Sequence, residues 1–103
     1  MRAAESLESA LARPKHMLSH KPRTTAPELA AAYAWGLLRN HPFVDANKRL
    51  ALASMVVFLD LNGWELSCSE AEETAMVLQA AAGDVTERAW ADWVAANATR
   101  RKG

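Results

Sequence analysis

Residues 37–63 read LLRNHPFVDANKRLALASMVVFLDLNG, and the fold of the chain turns on this stretch. From Leu50 to Leu59 it is apolar at nearly every position, broken only by Ser54. A helix that is hydrophobic all round is buried on all sides. This predicts a central helix over residues 46–61, with the other helices packed around it and Asn62-Gly63 closing it at a C-cap. The first part of the stretch is the opposite in character. Arg39, His41, Asp45, Asn47, Lys48 and Arg49 fall within eleven positions. The first turn of the following helix has four backbone N–H groups without an intrahelical partner, and the helix dipole adds partial positive charge. Lys48 and Arg49 place full positive charges at the same end, where they oppose the dipole. They make sense there if an anion such as a phosphate comes to sit at the helix N-terminus.

Outward from this stretch, other helical signals follow. Residues 2–13 read as a helix, with Leu7, Ala10 and Leu11 on one face and Pro14 just beyond it. A second helix opens at Thr25, with Glu28 at capping-box spacing and Pro27 in the first turn, and runs to about Arg39. After Gly63, WELSC (64–68) reads as a short extended connection. Ser69 and Glu72 form a further capping box, opening a helix that ends at Gly83. Thr86 starts the last helix, with Trp90, Trp93 and Val94 at i, i+3, i+4. The prediction is all-α, about five helices, in one domain over residues 1–103. HKPRTTAP (20–27) reads as a surface loop within that domain.

Composition bounds the function. Half of the 103 residues are hydrophobic, which excludes a disordered chain. Acidic and basic residues balance at 12 each, so the chain lacks the electrostatic footprint of direct nucleic-acid binding. One cysteine, Cys68, allows neither an internal disulfide nor a cysteine-built zinc site. That usage fits a reducing, cytoplasmic setting. The N-terminus is interrupted by Glu5 and Glu8 and lacks the apolar core of a signal peptide. The run from Leu50 to Leu61 is too short to span a bilayer.

The polar cluster has a definite chemical potential. His41 is the side chain whose ordinary pKa allows a neutral base at cellular pH. Pro42 fixes a backbone dihedral beside it, and Phe43 offers a core anchor. Asp45, at the helix entrance, suits an N-cap or a divalent cation. Magnesium needs only one or two carboxylates where phosphate oxygens supply the remaining ligands. Asn47 offers an amide to a phosphate. A base, a metal carboxylate and an anion cradle together suit phosphoryl or nucleotidyl transfer. No Walker A loop competes as a phosphate site.

The motif HPFVDANKR (41–49) resembles the Fic motif, His-Pro-Phe-x-Asp/Glu-Gly-Asn-Gly/Lys-Arg, and its Ala46-Asn47-Lys48-Arg49 ending resembles the Doc, or death-on-curing, branch. LESALARP (7–14), LAAAYAWGLLRNHPF (29–43) and LALASMVVFLDLNGWEL (50–66) are also similar to Doc-type sequence. The resemblance implies a Fic/Doc-like helical bundle around a central helix that follows the motif loop. Doc-type chains usually carry another helix and a Gly-rich turn ahead of the stretch corresponding to LESALARP, so it also implies an N-terminally shortened bundle. It implies His41 as the base on a target hydroxyl, Asp45 as the Mg²⁺ ligand, and Asn47, Lys48 and Arg49 as phosphate contacts, with Arg39 as a further one. Doc-type members are expected to transfer the γ-phosphate of ATP or another nucleoside triphosphate to a protein threonine. The implied target is elongation factor Tu, with translation inhibition as the outcome, and the implied partner is a Phd-like antitoxin.

Leu52 stands where most Fic AMP-transferases carry a further Arg, which favours kinase chemistry over AMP transfer. Ala53 stands where Doc-type chains can carry a polar residue. The self-inhibitory motif Ser/Thr-x-x-x-Glu-Gly/Asn is absent, since Leu29 follows Glu28, so inhibition is expected from a partner. Two other readings stay open: a Fic-type AMP-transferase, and a non-catalytic Fic fold that only binds an antitoxin. Outside the motif, His16 and His20 fall where Fic proteins have a target-positioning flap, or on a plain surface loop. Trp90 and Trp93 read as core, and Cys68 as a small buried residue without a role.

Overall fold

In the computed structural model, residues 24–40 and 45–101 are described. They form α1 (Ala26–Asn40), α2 (Asp45–Leu61), β1 (Trp64–Leu66), α3 (Glu70–Ala82), α4 (Glu87–Asn97) and β2 (Ala98–Arg100). Among the described residues the fold is all-α with one small strand pair. The helix predicted at 2–13, the flap region with His16 and His20, and His41, Pro42 and Phe43 lie outside the described residues.

The helix starts follow their sequence signals. Thr25 Oγ1 accepts from the Glu28 N–H at 3.4 Å and donates to Glu28 Oε1 at 3.0 Å. Ser69 Oγ accepts from the Glu72 N–H at 3.1 Å, and Thr86 Oγ1 from the Ala89 N–H at 3.0 Å. The three bonds from backbone N–H groups each satisfy a donor that the first turn leaves without an intrahelical partner. At the other end of α3, Gly83 adopts φ +83°. The Gly83 N–H reaches the Ala80 carbonyl at 3.2 Å and the Asp84 N–H reaches the Gln79 carbonyl at 2.9 Å, the Schellman pattern that a glycine permits.

Burial corrects the prediction for α2. Ala51, Met55 and Leu59 are its buried residues, at the i, i+4, i+8 spacing of a single face. Leu50, Val57 and Leu61 on another side are 45, 55 and 79 % exposed. The most enclosed helix is α1, in which Ala30, Ala31, Ala34, Leu37 and Leu38 are all buried. Its packing is most extensive against α2, then α4, and it also touches α3. The physical reason is side-chain size. Helix separation depends on the residues at the contact, and the alanines of α1 let neighbours approach on several sides. Hydropathy favours Leu and Val, so it pointed to α2 instead.

Trp90 joins α4 to α1. It is fully buried, and its indole Nε1–H donates to the Ala31 carbonyl at 2.9 Å. This satisfies the one polar group of the largest core side chain. Trp93 lies half-buried beside it, with ring centroids 5.6 Å apart.

The WEL segment is a strand rather than a plain extended connection. It pairs antiparallel with β2 in the register Trp64↔Arg100, Glu65↔Thr99 and Leu66↔Ala98. Ser67 Oγ and Thr99 Oγ1 share a hydrogen bond of 2.7 Å, and the Arg100 guanidinium lies 5.1 Å over the Trp64 ring. Arg101 then binds the C-terminus of α2, with 2.6 Å to Asp60 Oδ1 and 2.7 Å to the Asp60 carbonyl. A cation on the last carbonyls of a helix complements its dipole. No helix among the described residues is long and apolar enough to cross a membrane.

Candidate functional site

The first turns of α2 and the middle of α3 enclose an open groove of about 200 Å³ lined by Asp45, Lys48, Arg49, Leu52, Thr74, Val77 and Leu78. Helical periodicity produces this lining. Residues 45, 48, 49 and 52 fall at i, i+3, i+4, i+7 and share one face of α2. Residues 74, 77 and 78 do the same on α3. The groove is charged at its α2 end and mainly aliphatic beyond it.

Asp45 and Lys48 form an ion pair, with Lys48 Nζ 3.0 Å from Asp45 Oδ1. The Lys48 side chain is only 20 % exposed and that of Asp45 is 76 % exposed. A lysine stem covers apolar surface while its ammonium stays at the polar edge. The hydrogen bond and charge of Lys48 hold the Asp45 carboxyl below its ordinary pKa; burial opposes this slightly, and Arg49 adds to it. Asp45 is therefore ionised at neutral pH. It also offsets the unfavourable placing of Lys48 at a helix N-terminus, so that charge has a local structural partner. The Arg49 side chain is exposed and makes no hydrogen bond or salt bridge to another described residue.

Asn47 turns toward α1. Its Nδ2 donates to the Leu37 carbonyl at 3.5 Å, the outer limit of a hydrogen bond. Leu37 is within the last four residues of α1, whose carbonyls lack intrahelical donors. Arg39, read from the sequence as a phosphate contact, is engaged elsewhere. Its Nη2 donates to the Ala80 carbonyl at 2.6 Å and the Ala81 carbonyl at 3.3 Å, and its guanidinium lies 4.9 Å over the Trp35 ring. No feature of the motif distinguished these uses of Arg39, because its partners lie 41 and 42 residues away. The same distance hid the groove residues Thr74, Val77 and Leu78, which sequence reading did not single out.

The donors fit a magnesium ion in one manner only. Among the described residues Asp45 is the sole carboxylate in the groove lining, and they hold no group of three potential ligands. One ionised, exposed carboxylate suits a Mg²⁺ that arrives with phosphate oxygens and keeps several waters. It does not make a standing metal cage.

Fold and groove together define a helical protein that presents a cationic helix N-terminus beside an aliphatic cleft. The sequence pattern of the Fic/DOC family matches residues 1–59, a stretch that includes the motif, α1 and most of α2. The chain belongs to the Fic/DOC family, and membership points to Fic-type transferase activity. Among curated proteins, none matches the chain. The far wall of the groove, on α3, lies beyond the matched residues.

Proposed function

We propose that the chain is a Doc-type toxin that transfers the γ-phosphate of a nucleoside triphosphate to a threonine hydroxyl of a protein target. The observation that supports this best is the juxtaposition of Lys48 and Asp45, 3.0 Å apart at the N-terminus of α2. A polyphosphate brings oxygens that replace Asp45 as partner of the Lys48 ammonium, and the freed carboxylate is then available to Mg²⁺. Such an ion would neutralise charge on the triphosphate and help align it.

The residue roles follow from reach and charge. Lys48 and Arg49 meet phosphate oxygens together with the free N–H groups of the helix. Asn47 adds an amide donor once it leaves its long bond to Leu37. His41 accepts the proton of the attacking threonine as the new O–P bond forms and the bond to the β,γ-bridging oxygen breaks, leaving a nucleoside diphosphate. The lysine favours γ-transfer over AMP transfer because it fills the space that glycine leaves open in other Fic proteins. Leu52 supports the same choice. It lines the groove one turn beyond Lys48, where an AMP-transferase would carry a second arginine.

The target we propose is elongation factor Tu in the cytoplasm, and the silencing partner a Phd-like antitoxin whose amphipathic segment seats apolar anchors in a groove. Incubation of the purified chain with elongation factor Tu, ATP and Mg²⁺ followed by peptide mass spectrometry is expected to find one phosphothreonine. An AMP adduct on the same target would establish the AMP-transferase instead. An unmodified target would remove elongation factor Tu as the substrate.

A further inference from the structure

We infer that α2 packs against α2 of a second copy of this chain, antiparallel, through the seam Ala46, Leu50, Ala53, Val57 and Leu61. All five residues are exposed. They follow one another at steps of four, three, four and four residues, which keeps them on one side of the helix. An apolar seam with this spacing is what a second helix fills by knobs-into-holes packing. The seam lies opposite Ala51, Met55 and Leu59, the buried residues of α2. The helix is therefore apolar on two opposite sides, and only one of them is buried. A continuous exposed apolar stripe of this kind marks an interaction surface.

Charge selects a second copy as the occupant and fixes its direction. Arg49 and Asp60 flank the seam on the same side, because eleven residues of helix bring them within about 20° of each other. A two-fold axis near Ala53 sets Leu50 across from Val57 of the second copy, and Ala46 across from Leu61. Arg49 then comes almost level with Asp60 of the second copy, and the symmetry repeats this ion pair at the other end. Arg101 engages Asp60 at one oxygen, Oδ1, at 2.6 Å, and the Asp60 side chain is still 59 % exposed, so its carboxylate is open to a second guanidinium. The Arg49 charge opposes the dipole of its own helix; in the pair it lies beside the C-terminal end of the other α2, where it is favourable. A parallel pair would set Arg49 against the uncharged flank of Ser54 and Leu61 instead. Alanine at the centre of the seam lets the two helix axes approach to about 8 Å.

The contact is small. The seam is about 24 Å long, and two single helices bury less than the roughly 800 Å² per partner of a standard interface. A dissociation constant of about 10–100 µM is expected. Lys48 and Leu52, which line the groove, lie about 120° or more round the helix from the seam. Pairing is independent of the transfer activity proposed above.

Sedimentation equilibrium of the purified chain, without nucleotide, tests the pairing between about 5 and 500 µM. A monomer–dimer equilibrium is expected. Val57→Lys should stay monomeric over the same range with little change in melting temperature, since it alters an exposed side chain. Arg49→Gln should weaken association about threefold or more. Single cysteines in a Cys68→Ser background then read the register, because a disulfide needs Cα atoms within about 7 Å. Ala53→Cys should oxidise to a self-linked dimer, and Leu50→Cys should link to Val57→Cys. Leu50→Cys alone should not self-link, since seven residues of helix set its two copies about 10 Å apart. Self-linking of Leu50→Cys without the mixed link shows a parallel pair and overturns the inference. A dimer that Val57→Lys leaves intact uses another face and overturns it too. A monomer at every concentration overturns it outright; if Val57→Lys also destabilises that monomer, the seam is covered by the chain's own residues.

Discussion

Lys48 Nζ lies 3.0 Å from Asp45 Oδ1, three residues away on the same helix. The pair keeps Asp45 ionised below the usual carboxylate range. For a group whose folded pKa is lowered, the stabilising contribution is present above its unfolded pKa, about 3.9 for Asp, and is lost as pH falls through the lower, folded value. Asp45 therefore contributes no titration near neutrality. Lys48→Met should raise the Asp45 pKa toward its ordinary value. Carboxyl-carbon NMR titration measures this directly, and an unmoved Asp45 would show that the pair is not the cause.

His41→Ala should abolish transfer without harming the fold. A lost general base costs about 10²–10⁴-fold in rate, and the fold is expected to rest on the fully buried side chains of Trp90, Leu37, Leu38, Met55, Leu59 and Val94. Circular dichroism and single-turnover transfer check the two halves separately. Wild-type activity in the variant would remove His41 from its proposed role.

Trp90 should be the most sensitive core position. Trp90→Ala removes a fully buried ring and is expected to cost about 3–5 kcal/mol. Trp90→Phe keeps an aromatic ring but loses the bond to the Ala31 carbonyl, expected to cost about 1–3 kcal/mol. Equilibrium denaturation gives both values, and two near-neutral variants would contradict the packing of α4 on α1.

Cys68 should react slowly. Partial burial raises its thiol pKa first, and the carboxylates of Glu73 and Glu72 add to the shift, with Sγ 3.9 Å from Glu73 Oε1. Since the thiolate is the nucleophile, alkylation by iodoacetamide at about pH 8, near the ordinary thiol pKa, should be slower in the folded than in the urea-unfolded protein. Glu73→Gln should narrow the gap. Equal rates in the two states would mean that the burial and the carboxylates have no effect on the thiol.

Local signals in the sequence translated well into structure. The cap hydroxyls of Thr25 and Ser69, the glycine at 83 and the Trp90/Val94 spacing each specify their own few residues and appear where they were read, although the Glu28 carboxylate meets the Thr25 hydroxyl rather than its N–H. The misreadings have two causes, side-chain size and distance along the chain. The alanines of α1 carry little hydropathy, yet their small size makes that helix the enclosed one. The pairing of Trp64–Leu66 with Ala98–Arg100 joins residues more than thirty positions apart, and no period announces it. The candidate site was legible on α2 because Lys48 and Arg49 are adjacent there and Asp45 stands one turn before them, whereas the α3 wall and the partners of Arg39 come from the tertiary fold.

If Lys48 directs the γ-phosphate to the base, the label carried by the target reveals it. The purified chain is incubated with Mg²⁺ and a cell extract containing either γ-labelled or α-labelled ATP, beside the Lys48→Gly variant. A transferred group must lie between nucleophile and leaving oxygen, so the position of the label reports which phosphorus faces His41. Protein-bound label is expected from γ-ATP alone and is expected to be lost in Lys48→Gly. Protein-bound label from α-ATP with the wild-type chain would contradict it and leave an AMP-transferase.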